Sequence, residues 1–296
     1  MTDLRQIDLN LLVVLDALLE ERHVTRAAQR LGITQPAGSY ALERCRILFA
    51  DELLERKWGE FRLTRKAEAL RGRLRSLLAE IDGLLSPQSG DLLKGEGVVR
   101  LEMSDSLAVT LLPRLHRHLR ASAPQVDLVL LPWRGGSGAG DALVEGDVDL
   151  AVSVLPAPDD RCRRLQLFVE TYRVAMHPEH PAAAVFDLDR WLAYPHVLVS
   201  ALGGRRSPLD DQLQQMGRKR RIGIVVPSFA MVPQLLMNSE LIALLPTRCI
   251  PKESPLFVTE PPIAVEGFPV HIGWHRRNDS NPIVQHVAKL IVELME

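Results

Sequence analysis

The sequence predicts an α/β protein in which a small, basic, helical N-terminal module precedes a larger two-lobed α/β domain. Three observations carry that prediction. Two short helix patterns flank Gly32, each preceded by a residue that can start a helix. An apolar stripe at three- and four-residue steps runs over residues 65–85 and stops at Ser86-Pro87-Gln88-Ser89-Gly90. From Val98 strand and helix patterns alternate, and the alternation restarts at Phe168. At 296 residues there is room for two or three such domains, and 46% hydrophobic with 25% charged residues is an ordinary globular composition.

Net charge is −1, but between Arg22 and Arg75 there are 13 Arg or Lys against 6 Asp or Glu, an excess of seven. A basic module on a near-neutral body suits a nucleic-acid partner. Cys45, Cys162 and Cys249 are far apart and odd in number, which reads as reduced and cytoplasmic, with a Cys162–Cys249 redox pair as the rarer alternative. The N-terminal stretch lacks a charged-then-apolar signal pattern, and no apolar run reaches about 18 residues, so no membrane is expected. No cofactor is implied.

In chain order, Asp8 caps a first helix over 8–21. Thr25 is placed to cap a second, whose Ala27, Ala28 and Leu31 form a buried stripe. Gly32 supplies a left-handed ending, and Ile33 plugs the turn. Thr34 caps the next helix, with Pro36 in its first turn, where a missing N–H costs nothing. Ala37, Ala41, Leu42, Cys45, Leu48 and Phe49 mark its inner face; Gln35, Gly38, Ser39, Tyr40, Glu43, Arg44 and Arg46 are left outside. Gln can bond two edges of adenine, Ser and Tyr can bond bases or phosphate, and Arg44 and Arg46 can neutralise phosphates. Residue patterns alone leave this face open between a DNA-reading helix-turn-helix and an ordinary solvated surface.

Asp8-Leu9-Asn10-Leu11-Leu12, Val24-Thr25-Arg26-Ala27-Ala28 and Thr34-Gln35-Pro36-Ala37-x-Ser39 resemble the N-terminal domain of LysR-type transcriptional regulators. The likeness is specific over the first 85 residues and looser beyond. It implies a winged helix-turn-helix that binds double-stranded DNA through Thr25, Arg26, Thr34, Gln35, Pro36, Ser39, Tyr40 and Arg44. Residues 50–64 read as a two-stranded wing turning at Trp58-Gly59, with Arg56, Lys57 and Arg62 toward the DNA backbone. Thr64 is placed to cap a long helix after the wing. Gly38, Cys45 and Glu52 depart from the residues usual in the family, which bears on the fine geometry of the recognition helix.

The helix over 65–85 carries Ala67, Leu70, Leu74, Leu77, Leu78, Ile81 and Leu85 on one stripe and needs a partner. The resemblance implies its own copy, giving a homodimer or homotetramer; packing on its own second domain is the alternative. Val98–Met103, Val126–Leu131 and Val148–Val154 read as strands of a parallel sheet, with Ser104-Asp105-Ser106 at a strand end and helix start. Gly135-Gly136-Ser137-Gly138-Ala139-Gly140 reads as a flexible connection. A nucleophile elbow would need Gly at 139, and a phosphate loop would need Gly-Lys-Ser or Gly-Lys-Thr where Asp141-Ala142 stands. After Phe168, strands at 172–176, 196–200, 221–226 and 241–245, helices at 209–216 and 229–236, and a last strand and helix at 270–274 and 283–294 build a second lobe and return to the first.

This half resembles the effector-binding domain of the same regulators, itself similar to periplasmic solute-binding proteins. His180-Pro181 and Trp274-His275 resemble the branch that senses aromatic compounds. The resemblance implies that Ser104, Asp105, Ser153, Arg206, Ser228 and Phe229 face an inter-lobe cleft, with Arg206 pointing to a carboxylate on a small organic effector. The expected organisation is a DNA-binding domain at 1–64, a linker helix and hinge at 65–90, and an effector-binding domain at 91–296. Lobe I spans about 91–168 and 270–296, and lobe II about 169–269. The expected activity is effector-controlled transcription regulation, with RNA polymerase as a further partner. The competing readings are a ligand-blind DNA-binding repressor or architectural protein, and an α/β hydrolase-like enzyme using Ser137.

Overall fold

Gly32 sets the first corner of the chain. Its φ of +64° is a left-handed conformation that glycine adopts without steric cost. There the Ile33 N–H donates to Ala28 O at 3.0 Å and the Gly32 N–H to Gln29 O at 3.1 Å. These two bonds close the helix in a Schellman turn. The computed structural model describes residues 7–57, 60–85, 95–157, 160–251 and 253–295. They form two compact units, one holding residues 1–88 and the other nearly all of 89–296.

In the first unit, α1 (Asn10–Glu21) begins where Asp8 Oδ1 accepts the Asn10 N–H at 3.1 Å. Next come α2 (Val24–Arg30) and α3 (Gln35–Phe49). Thr25 does not cap α2: the helix starts one residue earlier, with His23 at its N-cap, so Thr25 stands inside the first turn. Thr34 caps α3 as expected, accepting the Ala37 N–H. The inner face of α3 is Gly38, Ala41, Leu42 and Cys45, while Ala37 is exposed. Positions 37 and 38 thus exchange the sides expected of them. A methyl at Gly38 would stand 3.2 Å from the Ala28 Cβ, so glycine here lets α2 and α3 cross closely. Ile33, expected to plug the turn, is instead 37% exposed.

The wing is β1 (Leu54–Lys57) paired antiparallel with β2 (Glu60–Leu63), in the register Leu54↔Leu63 to Lys57↔Glu60. The expected Trp58-Gly59 turn lies outside the described residues, as does the 86–90 break. Thr64 caps α4 (Arg65–Leu85) by accepting the Ala67 N–H at 3.1 Å, and donates to Asp51 Oδ1 at 2.5 Å. The apolar stripe of α4 divides. Leu74 is buried in the core of this unit with Leu70 and Leu78 packed beside it, whereas Leu77 stays 43% exposed. Glu20 on α1 pairs with Arg71 and Arg75 of α4, which seats the helix on its own domain.

The second unit holds two five-stranded sheets. Lobe I comprises β3 (Gly97–Met103), β4 (Val126–Leu131), β5 (Leu150–Ser153), β6 (Cys162–Glu170) and β12 (Phe268–His275), in the order β4-β3-β5-β12-β6. Lobe II comprises β7 (Tyr172–Met176), β8 (Pro195–Val199), β9 (Arg221–Val226), β10 (Ile242–Pro246) and β11 (Phe257–Thr259), in the order β11-β7-β10-β8-β9. Both sheets are mixed, not parallel. The chain leaves lobe I along β6 and returns along β12; paired neighbours running out and back must be antiparallel. In lobe II, β7 is likewise antiparallel to β10 and β11.

Alternation along β5 sends Leu150 and Val152 toward α5 (Asp105–Ser122) and α10 (Pro282–Met295), and Ala151 toward α6 (Gly135–Glu145). The glycine run is the first turns of α6, not a flexible connection. A Cβ at Gly136 would lie 2.1 Å from Val154 O, so the small residues let this helix press against the backbone after β5. In lobe II, α7 (Leu188–Ala193) and α8 (Pro208–Gln215) cover one set of core residues around Trp191 and Ile242, and α9 (Val232–Met237) another around Val197 and Leu245.

Candidate functional site

On the first unit, the outer side of α3 carries Gln35, Pro36 and Tyr40 exposed and Ser39 half-buried, with Thr34 exposed at the N-cap. Gln35 Nε2 donates to Ser39 Oγ at 2.9 Å, one helical turn on, so an amide and a hydroxyl are held side by side. Tyr40 is 68% exposed, with the Arg44 guanidinium 6.0 Å from its ring centre. Thr25 and Arg26 are exposed at the start of α2, and Arg56 and Arg62 are exposed on the wing. The Lys57 side chain lies outside the described residues. This is a surface of amide, hydroxyl and guanidinium groups on a protruding helix and hairpin, the chemistry that contacts base edges and phosphates.

Two arginines expected to meet phosphate have other work. Arg44 pairs with Asp8 at 3.1 Å and so ties α3 to the start of α1. Arg46 donates to Glu52 O at 2.9 Å and Leu54 O at 3.2 Å, and pairs with Glu43 and Glu52. It clasps the wing to α3. Arg26 is also anchored, donating to Glu21 O at 2.6 Å, yet its side chain remains 62% exposed.

In the second unit a cavity of about 870 Å³ opens between the lobes. Ser104, Ser153 and Phe229 line it, as the sequence suggests. Its walls are aromatic: Trp133 lies 5.9 Å from Phe229 and Tyr172 lies 5.3 Å from Phe268, centre to centre, with Phe168 nearby. Trp133 Nε1 donates to Ser153 Oγ at 3.2 Å, which fixes the indole. Behind it the fully buried Glu102 accepts from Arg134 N at 2.9 Å and Arg134 Nε at 3.1 Å, holding the chain that presents Trp133.

Asp105 and Ser228 are spent on one another. Asp105, in the first turn of α5, accepts from the Ser228 hydroxyl at 2.7 Å, the Ala230 N–H at 2.8 Å and the Phe229 N–H at 3.2 Å. Burial alone would raise its pKa; these donors outweigh burial and hold it below the usual carboxylate range. The pair joins the two lobes, and neither residue is among those lining the cavity. Arg206 is also displaced from its expected role. It sits on the surface, 65% exposed, bonded to Asp211 at 2.6 Å and Gln214 at 3.0 Å, and does not line the cavity.

The cavity's arginine is Arg220, whose side chain is 2% exposed. It is fixed by Asp210 at 2.8 and 2.9 Å and by Ser207 Oγ at 2.9 Å. Sequence reasoning passed over it because Arg218-Lys219-Arg220-Arg221 reads as a solvated charge run. Glu170, also missed, stands at the crossover from β6 to β7 and lines the cavity at 4% exposure. Burial raises its pKa, against opposing N–H donors that include Thr171 at 3.1 Å.

His180 lies away from the cavity lining, with Nε2 against Glu240 O and Nδ1 accepting the Ala182 N–H. Trp274 donates to Asp279 at 2.8 Å. The Cys162–Cys249 pair is ruled out by distance. Cys162 begins β6, whose eight steps of about 3.3 Å put it roughly 26 Å from Glu170, the residue Arg248 reaches. Burial pushes the Cys249 thiol up to about 12, and it contacts Ser106 Oγ at 3.0 Å.

The family model described as the bacterial regulatory helix-turn-helix protein of the lysR family matches residues 9–68, and that of the LysR substrate binding domain matches residues 94–296. The chain is 31% identical over 297 residues to the HTH-type transcriptional activator NagR of a Ralstonia species, covering 99% of this chain and 98% of that protein. It is 31% identical over 298 residues to nodulation protein D 3 of Rhizobium leguminosarum bv. phaseoli, covering 96% and 98%. A solved structure of the probable transcriptional regulator PA0477 from Pseudomonas aeruginosa superposes with a TM-score of 0.71 at 25% identity, covering 97% of this chain and 98% of that one.

Proposed function

The chain belongs to the LysR family of transcriptional regulators, with a helix-turn-helix DNA-binding domain and an effector-binding domain, and on that premise we propose how its residues divide the work. Residues 1–64 bind operator DNA, with Gln35, Pro36, Ser39 and Tyr40 at the base edges and Thr25, Arg26, Thr34, Arg56, Lys57 and Arg62 on the backbone. Residues 65–90 link and dimerise, and 91–296 receive a small organic effector in the inter-lobe cavity against Ser104, Ser153 and Phe229. The observation that supports this reading best is the Gln35–Ser39 pair on an exposed helix whose opposite face is locked into the core. The work assigned to the protein is binding and not catalysis, as the family's regulator role supports; Ser137 is an exposed residue in the first turn of α6. Among the described residues no helix is long and apolar enough to cross a membrane. The cytoplasm, where DNA and RNA polymerase are met, is its proposed place of action.

The test is a gel shift with the promoter-bearing DNA beside its own coding region, across a salt series. Arg62→Ala should weaken all sequences alike and reduce the salt slope by about one. Gln35→Ala should instead relax discrimination at one base pair, by roughly 1–3 kcal/mol. Failure to shift that DNA at low salt overturns the reading.

A further inference from the structure

We infer that Arg46 is a positioning residue for operator binding: by gripping the carbonyls on either side of Leu53 it aims the wing, so that Arg56 reaches the phosphate backbone beside the half-site that α3 reads. This rests on the reading of residues 1–64 as the operator-binding domain and adds what fixes its wing. Ala50-Asp51-Glu52-Leu53 joins α3 to β1, and two of these residues are left-handed without being glycine, Ala50 at φ +47° and Leu53 at φ +60°. That conformation is costly for a branched side chain and persists only where the surroundings hold it. Leu53 is fully buried. Its N–H donates to Asp51 Oδ1 at 2.8 Å, and its carbonyl accepts the Thr64 N–H at 3.1 Å.

Arg46, in the last turn of α3, supplies the rest of the hold. It donates from Nε to Glu52 O at 2.9 Å and from Nη2 to Leu54 O at 3.2 Å. Glu52 precedes Leu53 and Leu54 follows it, so one planar fork fixes both ends of the left-handed residue. Nη1 is bonded to Glu43 Oε1 at 2.6 Å, and Nε also lies 3.2 Å from Glu52 Oε2. All three guanidinium nitrogens are therefore engaged inside the domain, and the side chain is 25% exposed. Arg46 acts on DNA through the wing and not by meeting phosphate itself. Leu54, whose carbonyl it holds, opens β1, and Arg56 stands exposed two residues further along that strand. Without the fork Leu53 relaxes to extended backbone and the direction of β1 changes. Gln35 and Ser39, two to three turns back along α3, keep their place.

The experiment is a pair of double-mutant cycles on the full chain, read by fluorescence anisotropy on the promoter DNA beside its own coding region. Arg46→Met keeps the helix and the aliphatic stem but removes every donor. Arg56→Ala should weaken binding at least about threefold in the native background and by less than about 1.5-fold in Arg46→Met, because a misdirected wing has no contact left to lose. Gln35→Ala should cost the same factor in both backgrounds. An Arg46 that only stabilised the fold would scale every affinity by the fraction folded and leave both factors unchanged. An Arg46 that met phosphate directly would likewise leave the Arg56 factor unchanged. If circular dichroism shows Arg46→Met unfolded, the cycles are run in Arg46→Lys, which keeps one donor site for two carbonyls, and the Arg56 factor should fall by at least about half. The inference is overturned by an Arg56 factor that is equal in the two backgrounds, by an Arg56→Ala that costs nothing in the native one, or by a Gln35 factor that falls together with that of Arg56. A protein that fails these tests but still shifts promoter DNA loses only this inference; one that shifts no DNA loses the regulator reading itself.

Discussion

Gly38 and His196 show how single residues here are set by what lies against them. Gly38 faces Ala28 and Val24 across the α2–α3 crossing, with the Val24 carbonyl 3.7 Å from where a Cβ would be. Gly38→Val forces two further carbons into that space and should destabilise the first unit by about 1–3 kcal/mol in urea unfolding. His196 is buried, its Nε2 against Trp191 O at 2.9 Å. Burial, then the Arg220 charge, lower its pKa from 6.5 to about 4. The unfolded chain therefore takes up this proton first as pH falls below 6.5. Stability should drop by about 3 kcal/mol between pH 6.5 and 4, at about 1.4 kcal/mol per unit, and level off below. Urea unfolding of His196→Gln should lack that part of the slope between pH 7 and 4.5. Neither effect is legible in the sequence. Ala37 and Gly38 are equally small, so the pattern could not say which turns inward, and nothing around His196 announces its burial.

At the scale of elements, periodicity finds the helices and misses their context. The helix-turn-helix is readable because its signals are local: a cap at Thr34, a left-handed Gly32, a proline in the first turn. The stripe on α4 is equally readable, but not what covers each residue. Leu74 is 6% exposed inside its own unit, whereas Leu77 is 43% exposed on the outside. The two leucines should therefore respond differently to the same change. Leu77→Glu should leave the fold intact and convert oligomers to monomers by light scattering. Leu74→Glu buries an unpaired carboxylate and should unfold the domain. Wild-type protein that is monomeric at micromolar concentration would remove α4 as an assembly surface. The glycine run misleads for a related reason. Its residues look flexible in isolation, and only the Val154 backbone pressed against Gly136 explains why a helix needs them.

For the whole molecule, the two-lobed plan is legible because strand and helix patterns restart after Phe168, while the sheet directions and the cavity's polar groups are not. Those depend on the chain crossing twice between lobes and on which charges meet there: Asp105 with the 228–230 turn, and Arg220 with Asp210. The same double crossing bears on the order of events during synthesis. Everything from β7 to β11 is inserted between two strands of lobe I, and β12 lies in the sheet between β5 and β6. Until residue 275 has been made, β6 has no neighbour in its own sheet. A ribosome stalled with residues up to about 265 outside its tunnel should hold a protease-resistant segment from the inserted lobe and a susceptible remainder around β6. Release of the next strand should then protect the segment around β6 as well. The inserted half thus matures ahead of the half that precedes it in the chain, and a nascent chain displays bare β6 edge to chaperones for as long as translation of the insert takes.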